Sequence, residues 1–576
     1  MILGINSAYH ESAAAVIDDG GRIVAAVEEE RFSGRKHGKR PRSDNAHHLP
    51  WYAIEYCLRE AGVTWRQLAA VAFSFHPELR RGLVYPGDET DPGSFGYGVS
   101  AALFRESLAR VPGVIAQYTN APFFYVPHHA AHAWYAMGTS QLDRAAVLVA
   151  DGIGERVSLS AGLATRSELD LADVALFPDS VGFAWEKVAR YVGLTEYDAC
   201  KVMALAGTVG DLKPVSFDRL LAFRDDRLMV DHEVLRLEFP NDFSGLDRLV
   251  GSSRGRPVAA PEHKRLAAGL QAATERLLIA AAARLAERYG ERRLVIGGGV
   301  ALNCRANGVL ADSGVVDQLH VGPATHDAGT ALGAAWHVHT LYTERAVPHP
   351  DPALVMFSGP AVAEDADALH GGGWQAVGTP DALDGIVDVL LAGAPVGWLD
   401  GRLEFGPRAL GARSILASPA SRDVVARVNS LKRRHEFEPL ALAVPEEDAA
   451  AVFAIAEPAR DLATLMLTTA SPTPAWHPVL AHVLHQDGTA RVQVVRRALT
   501  PRLHALLRQF AARSGLPLLI NTSFNPRGDP MPATLAQALT MAARLGLSHL
   551  VINGRLWIGS EPARSLTPSS PVNATA

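Results

Sequence analysis

The chain has 576 residues, 48% hydrophobic and 20% charged, with 55 Lys+Arg against 61 Asp+Glu for a formal charge of −6. That length exceeds what one hydrophobic core organises, so two or more domains are expected, and without a basic excess nucleic acid is not expected as the partner. Three scattered cysteines, Cys57, Cys200 and Cys304, exclude a disulfide framework or a cysteine zinc site; with neither an apolar run of about 18 residues nor a leader pattern, a cytoplasmic protein without a membrane partner is expected.

In chain order, "MILGINSAYHESAAAVIDDGGRIVAAVEEERF" is two apolar runs joined by "DDGG", a hairpin signal. "VPHHAAHAWYA", residues 126–136, sets His128 and His132 four apart, on one face if the segment is helical. Such a pair is structural unless carboxylates join it. Two candidates follow: Asp151, ending the apolar run of "AAVLVADGIGERVSLSAG", and Asp327 in "PATHDAGTALGAA", a loop opening a helix. Each reads equally as a cap or turn residue. Two imidazoles with one or two carboxylates and no thiolate suit iron, manganese or zinc without choosing among them. Between them lies "HKRLAAGLQAATERLLIAAAARLAERYG", with the three- and four-residue apolar spacing of a helix. "RRLVIGGGVALNCRANGVL" is a third strand and turn. Glycine turns after strands let N–H groups approach phosphate oxygens. One such turn is also explained by a tight strand-to-helix connection; three in one region point to a nucleotide site.

Four prolines in residues 342–360 mark a break, and the second half again alternates strands and helices. There "DGRLEFGPRALGARSIL" gathers Arg402, Arg408 and Arg413, and "VNSLKRRHEFEP", "HQDGTARVQVV" and "LLINTSFNPRGDP" follow. Interspersed arginines commonly form a surface charge cluster. Guanidinium forks beside amide and hydroxyl donors make an anion site the economical reading.

The ordered set "HESAAAV", "EEERFSGRKHG", "HHAAHA", "DGIGE", "KVMALAG", "GGVALN" and "HDAGTALGAA" resembles the antibiotic and nodulation-type O-carbamoyltransferases over nearly the whole chain. The resemblance implies an α/β architecture: an N-terminal actin-like ATPase-fold (ASKHA) domain over 1–345, a linker over 346–360, a C-terminal YrdC-like domain over 361–562 and a disordered tail over 563–576. It implies that His128, His132, Asp151 and Asp327 hold a divalent metal, Fe2+, with His129 supporting or packing, and that His10, Lys36 and Asp151 are catalytic. Lys201, Gly298, Gly299, Asn303, Arg408, Lys432, Arg434, Arg491, Asn521, Ser523 and Arg527 become ligands of nucleotide or carbamoyl phosphate, with Mg2+ accompanying ATP. This chain departs from the family pattern at Glu11, where the family has aspartate, and at His435, Glu438 and Leu442, where it has glutamate, arginine and proline.

The implied activity is ATP-dependent formation of carbamoyl adenylate in the second domain and carbamoyl transfer in the first to a hydroxyl of a small natural product: an amino sugar, nucleoside or polyketide. A homodimer is left open. Residues 75–125 fall outside the shared motifs and are where acceptor recognition is expected. Two readings compete: a sugar kinase or nucleotide hydrolase of the same fold, and an ATP-driven binding module. The first leaves the histidine pair and the second domain idle, and the second predicts ATP binding with no carbamoyl dependence. A tRNA threonylcarbamoyl acceptor is disfavoured by the acidic charge.

Overall fold

In a computed structural model, residues 1–82 and 100–559 are described. Strands β1 (Ile2–Asn6), β2 (Ala13–Ile17), β3 (Ile23–Glu28), β4 (Ala70–Phe73) and β5 (Phe123–Tyr125) form a sheet in the order β3-β2-β1-β4-β5. The first three pair antiparallel, and β4 and β5 then add in parallel. The "DDGG" hairpin joins β2 to β3, with Asp18 Oδ1 accepting from Gly20 and Arg22 N–H.

The pattern then repeats. Strands β6 (Arg144–Ala150), β7 (Val157–Thr165) and β8 (Leu169–Leu176) pair antiparallel. After a small hairpin of β9 (Leu221–Arg224) and β10 (Arg227–Val230), β11 (Arg293–Gly297) and β12 (Gln318–Val321) extend the sheet in parallel, giving β12-β11-β6-β7-β8. Two copies of one mixed order define the actin-like ATPase fold. The helix His128–Thr139 follows the first sheet's last strand, and the helix Asp327–Thr343 follows the second's. They pack together closely enough that a Cβ at Gly333 would lie 1.8 Å from Ala131 O. Both helix N-termini thereby meet at the ends of β6 and β11. The long apolar-periodic segment is the helix Pro261–Tyr289.

A third, ten-stranded mixed sheet runs from Trp374–Val377 to Phe453–Ala454. Its middle is Val396–Leu399, Arg413–Ala417, Leu519–Ser523, Ala441–Pro445 and Ala490–Val495. Residues 346–360 lie against the first domain and include the short helix Pro352–Met356. Buried Arg166 donates to the carbonyls of Gly138, Ser140, Leu142, Val347 and Pro348, tying this segment down. The tail expected over 563–576 lies outside the described residues. Among the described residues, no helix is long and apolar enough to cross a membrane.

Candidate active site

His128 and His132 lie on the first turns of their helix, both fully buried, with their Nε2 atoms 3.1 Å apart. Asp151 immediately follows β6, and Asp327 opens the second helix behind the cap residue His326. His128 Nε2 is 3.5 Å from Asp151 Oδ2 and 3.6 Å from Asp327 Oδ1; His132 Nε2 is 3.8 and 3.6 Å from the same atoms. One ligand atom from each residue thus lies within 4.8 Å of the others.

Two of the four residues are oriented by an outer contact, whereas His132 Nδ1 is buried without a partner among the described residues. His128 Nδ1 lies 3.0 Å from the Ser74 carbonyl, which requires an N–H there and leaves the Nε2 lone pair pointing inward. Gly299 N–H donates to Asp151 Oδ1 at 2.9 Å, freeing Oδ2. Gly298 makes that approach possible: its φ is 91°, and a Cβ there would lie 2.2 Å from Ala150 O. Glu155 Oε1 accepts from His128 N–H at 2.9 Å and His76 N–H at 2.7 Å, fixing the helix start.

Burial raises Asp327, but His10, His128 and His132 outweigh it and hold the carboxyl well below its ordinary range. Burial lowers His128, while Asp327 and Asp151 overcome this and raise it well above its own. With both imidazoles neutral the cluster carries two buried negative charges, which a divalent cation balances. Nitrogen and oxygen donors in this arrangement fit such an ion.

His10 approaches from the open side, its side chain 34% exposed and its Nδ1 3.8 Å from Asp327 Oδ2. Tyr197 stands edge-on to it at 5.7 Å and stacks on His37 at 4.4 Å. Glu11 turns toward His37, Oε1 to Nδ1 at 2.6 Å, in a left-handed backbone conformation (φ 51°). Lys36 is paired to buried Glu30 at 2.9 Å. His129 bonds Ser160 Oγ at 2.7 Å, away from the convergence point. Asn303 caps the following helix through Ala306 N–H and exchanges hydrogen bonds with Gln271. In the segment 75–125, residues 83–99 lie outside the described residues. Within the described part, buried Arg80 donates to Tyr9 Oη at 2.7 Å and Glu155 O at 3.0 Å, beside the loop that begins at Asp151.

The second cluster is cationic. Arg408, Arg434 and Arg491 are half-buried, with each Nε buried and unpartnered among the described residues. Burial, then Arg408 and Arg434, push Arg491 down to about 9. Lys432 donates to Ser523 O, Ser523 Oγ and Asn525 Oδ1; burial, Arg434 and Lys36 push it well below the usual lysine value. Asn521 donates to Gln493 Oε1 at 2.6 Å, and its own Oδ1 is unpartnered. A small pocket beside Arg491 is walled by Met203, Gly207 and Cys304 of the first domain and Pro439 of the second. Lys201 pairs with Asp198 on the neighbouring helix. Arg527 is exposed and reaches His435 Nε2 at 2.9 Å instead of the pocket. Glu438 faces inward, accepting from His435 N–H at 3.1 Å and lying 3.6 Å from Arg434, so it neutralises part of the cluster.

The sequence reading did not single out Glu155, Ser74, Arg31 or Glu404. The last is fully buried, and its Oε1 accepts Leu410, Ala412 and Arg413 N–H, which shapes the loop carrying Arg408. A buried-type carboxylate inside an apolar, glycine-rich motif was the available signal for Glu155 and Glu404.

A duplicated actin-like domain with a buried imidazole–carboxylate cluster is joined to an α/β domain with an arginine cluster. Residues 1–86 and 92–336 match the family model "Carbamoyltransferase N-terminus", and residues 387–558 match "Carbamoyltransferase C-terminus". The chain belongs to the carbamoyltransferase family and is a transferase. The nodulation protein NolNO of Sinorhizobium fredii (strain NBRC 101917 / NGR234) is 33% identical over 96% of this chain and 79% of its own length. The 3'-hydroxymethylcephem-O-carbamoyltransferase of Amycolatopsis lactamdurans is 35% identical over 52% and 55% of the two chains. Among solved structures, full-length HypF is similar at a TM-score of 0.33 and 13% identity over 60% of this chain and 56% of that one; the strand order, not this likeness, carries the fold assignment.

Proposed function

We propose that the protein is an ATP-dependent O-carbamoyltransferase that makes carbamoyl adenylate in its second domain and passes the carbamoyl group to a small-molecule hydroxyl in its first. The observation that carries this reading is the pairing, in a carbamoyltransferase chain, of an anionic imidazole–carboxylate centre with a separate arginine cluster.

In the second domain, Arg408, Arg434 and Arg491 bind the phosphate oxygens of ATP and carbamoyl phosphate, and Lys432, Asn521 and Ser523 shape the pocket floor. Arg527 serves at its rim. Water cleaves carbamoyl phosphate to carbamate and phosphate; a carbamate oxygen then attacks the α-phosphorus of ATP and expels pyrophosphate. The guanidiniums stabilise the charge that develops on both departing groups, and Mg2+ accompanies ATP. Lys36 and Lys201 accompany the adenylate between the domains, and Gly298 and Gly299 shape the loop that receives it.

In the first domain, His128, His132, Asp151 and Asp327 would hold a divalent metal, with Fe2+ implied by the resemblance. When bound, it supplies Lewis acidity beside the reacting carbonyl. His10 takes the proton from the acceptor hydroxyl: burial lowers its pKa, but Asp327 and Glu11 raise it overall, so the ring holds a proton once received. The hydroxyl oxygen bonds to the carbamoyl carbon, and AMP departs with the electrons of the broken C–O bond. The acceptor is a natural-product hydroxyl, and the 3'-hydroxymethylcephem relative supports that class.

Incubation with ATP, Mg2+ and carbamoyl phosphate, followed by mass spectrometry, tests the first half: carbamoyl adenylate and pyrophosphate are expected only when carbamoyl phosphate is present. Pyrophosphate release independent of carbamoyl phosphate would overturn the reading. A His10→Ala variant with an unchanged transfer rate would remove His10 from its role.

A further inference from the structure

Arg31 is 1% exposed and is bonded on every side. Its Nη2 donates to Glu28 Oε1 and to the Gly406 carbonyl, each at 2.7 Å, and its Nη1 pairs with Glu30 Oε1 at 2.8 Å. Glu28 Oε1 in turn accepts from Gly406 N–H at 2.9 Å, and Gln537 of the second domain donates to Arg31 O at 3.2 Å.

The far ends of this network are the two loops that bear the chemistry. Glu30 holds Lys36 Nζ at 2.9 Å and His37 N–H at 2.7 Å. Gly406 lies two residues before Arg408, in the loop whose other end Glu404 secures. Gly406 sits at φ 125°, where a Cβ would lie 2.5 Å from Pro323 O, so this loop touches the first domain and tolerates no side chain.

Stability alone is a weak reason for a buried ion network, since apolar residues of similar volume commonly match it. What such a network supplies is fixed geometry: a guanidinium fork holds its partners in one arrangement. Here the partners are the Lys36 loop of one domain and the Arg408 loop of the other.

We infer that Arg31 is a positioning residue that seals the two domains together between the adenylate-forming and transfer sites, so that the intermediate passes between them without meeting water. This rests on the two-site reading above. When the seal loosens, water adds at the carbamoyl carbon, AMP leaves, and the carbamate released breaks down to ammonia and carbon dioxide.

The test needs no acceptor. Full-length wild type, Arg31→Lys and Glu28→Gln are each given ATP, Mg2+ and carbamoyl phosphate, and pyrophosphate, AMP and ammonia are followed over time. Wild type should give a pyrophosphate burst with slow AMP release. Arg31→Lys keeps the charge but loses the fork, and should release AMP and ammonia roughly 10- to 100-fold faster per burst equivalent. Glu28→Gln keeps an acceptor for Gly406 N–H and should leak less, in the same direction. Normalising to the burst counts only folded, adenylating enzyme, so a merely structural role would leave the ratio unmoved. Equal normalised leakage in wild type and both variants would overturn the inference. Absence of a carbamoyl phosphate-dependent burst in wild type would overturn the two-site reading itself, and is read before any variant is compared.

Discussion

The two charged centres are opposites in sign and in how they are held. In the first domain two carboxylates face two imidazoles, with His128 Nδ1 set against Ser74 O and Asp151 Oδ1 accepting from Gly299 N–H, while His132 Nδ1 has no partner among the described residues. In the second, three guanidiniums crowd together with each Nε unpartnered among the described residues, and Glu438 relieves part of their repulsion at Arg434. One cluster suits a cation and the other an anion. The difference teaches that the first has the donors and charge to hold a divalent cation, whereas the second crowds like charges that an anion would relieve.

Knocking out each centre in turn is the sharpest way to break that contrast. Asp327→Ala removes one of the four ligands and should lower metal affinity beyond the roughly 10- to 100-fold that losing an outer partner costs. Metal content after dialysis measures this, and carbamoyl phosphate-dependent pyrophosphate formation should persist. Arg408→Ala should do the reverse, keeping the metal while pyrophosphate formation falls by about 10²- to 10³-fold. If either variant lost both readouts together, the centres would not be separate.

A milder change probes the frame. Glu155 touches no proposed substrate but fixes the N–H of His128, so Glu155→Ala should weaken metal binding by about 10- to 100-fold without abolishing it. Glu155→Gln, whose amide oxygen still accepts, should fall between. Metal titration of the three proteins gives the order; equal affinities would show that the helix start needs no such anchor.

Why Glu155 escaped the sequence reading shows what was legible. The four-residue spacing of His128 and His132 and the helix after Asp327 are local, and one helical turn or one strand end places each ligand. The alternation of strands and helices was readable, whereas the duplicated strand order was not, because pairing partners lie far apart in sequence. Glu155 acts on a residue 27 positions before it, and Arg31 on one 375 positions after it. Asn303 shows the converse: its motif suggested a phosphate ligand, while its side chain is committed to a helix cap and Gln271. The direction of Glu438 was likewise undecidable from its neighbours, since a loop residue's facing is set by what packs over it.

Acidity should separate the centres further. Cation-free His128 is held protonated well above its ordinary value, so metal must displace that proton, while Asp151 and Asp327, both pulled down, stay ionised. Metal affinity should therefore rise with pH, by up to about tenfold per unit for the single proton, until His128 titrates freely. Chelator competition at several pH values measures the slope. The arginine cluster should hold pyrophosphate with little change over the same range, because its guanidiniums stay charged throughout it. A flat metal profile would mean that His128 is already neutral and that the frame carries an uncompensated negative charge.

The smallest effect tests the tension in the second centre. A guanidinium does not release its proton near neutral pH, so the depression of Arg491 measures the cost of keeping it charged in the fold. Burial contributes first, then Arg408 and Arg434. For a base whose folded value lies below its unfolded one, that cost is fully present below the folded value and fades only as pH climbs past it. At pH near 7 the penalty is therefore in force. Arg491→Met should raise the stability of the ligand-free protein, and because the side chain is only half-buried the gain is about 1 kcal/mol. Pyrophosphate should reverse the order: at a hundred times its Kd it stabilises wild type by about 2.7 kcal/mol, while the variant, lacking one of the three cations, gains less. Thermal midpoints with and without pyrophosphate decide the matter. A variant less stable than wild type in both conditions would mean that Arg491 is a packing residue and that the cluster is not strained before substrate arrives.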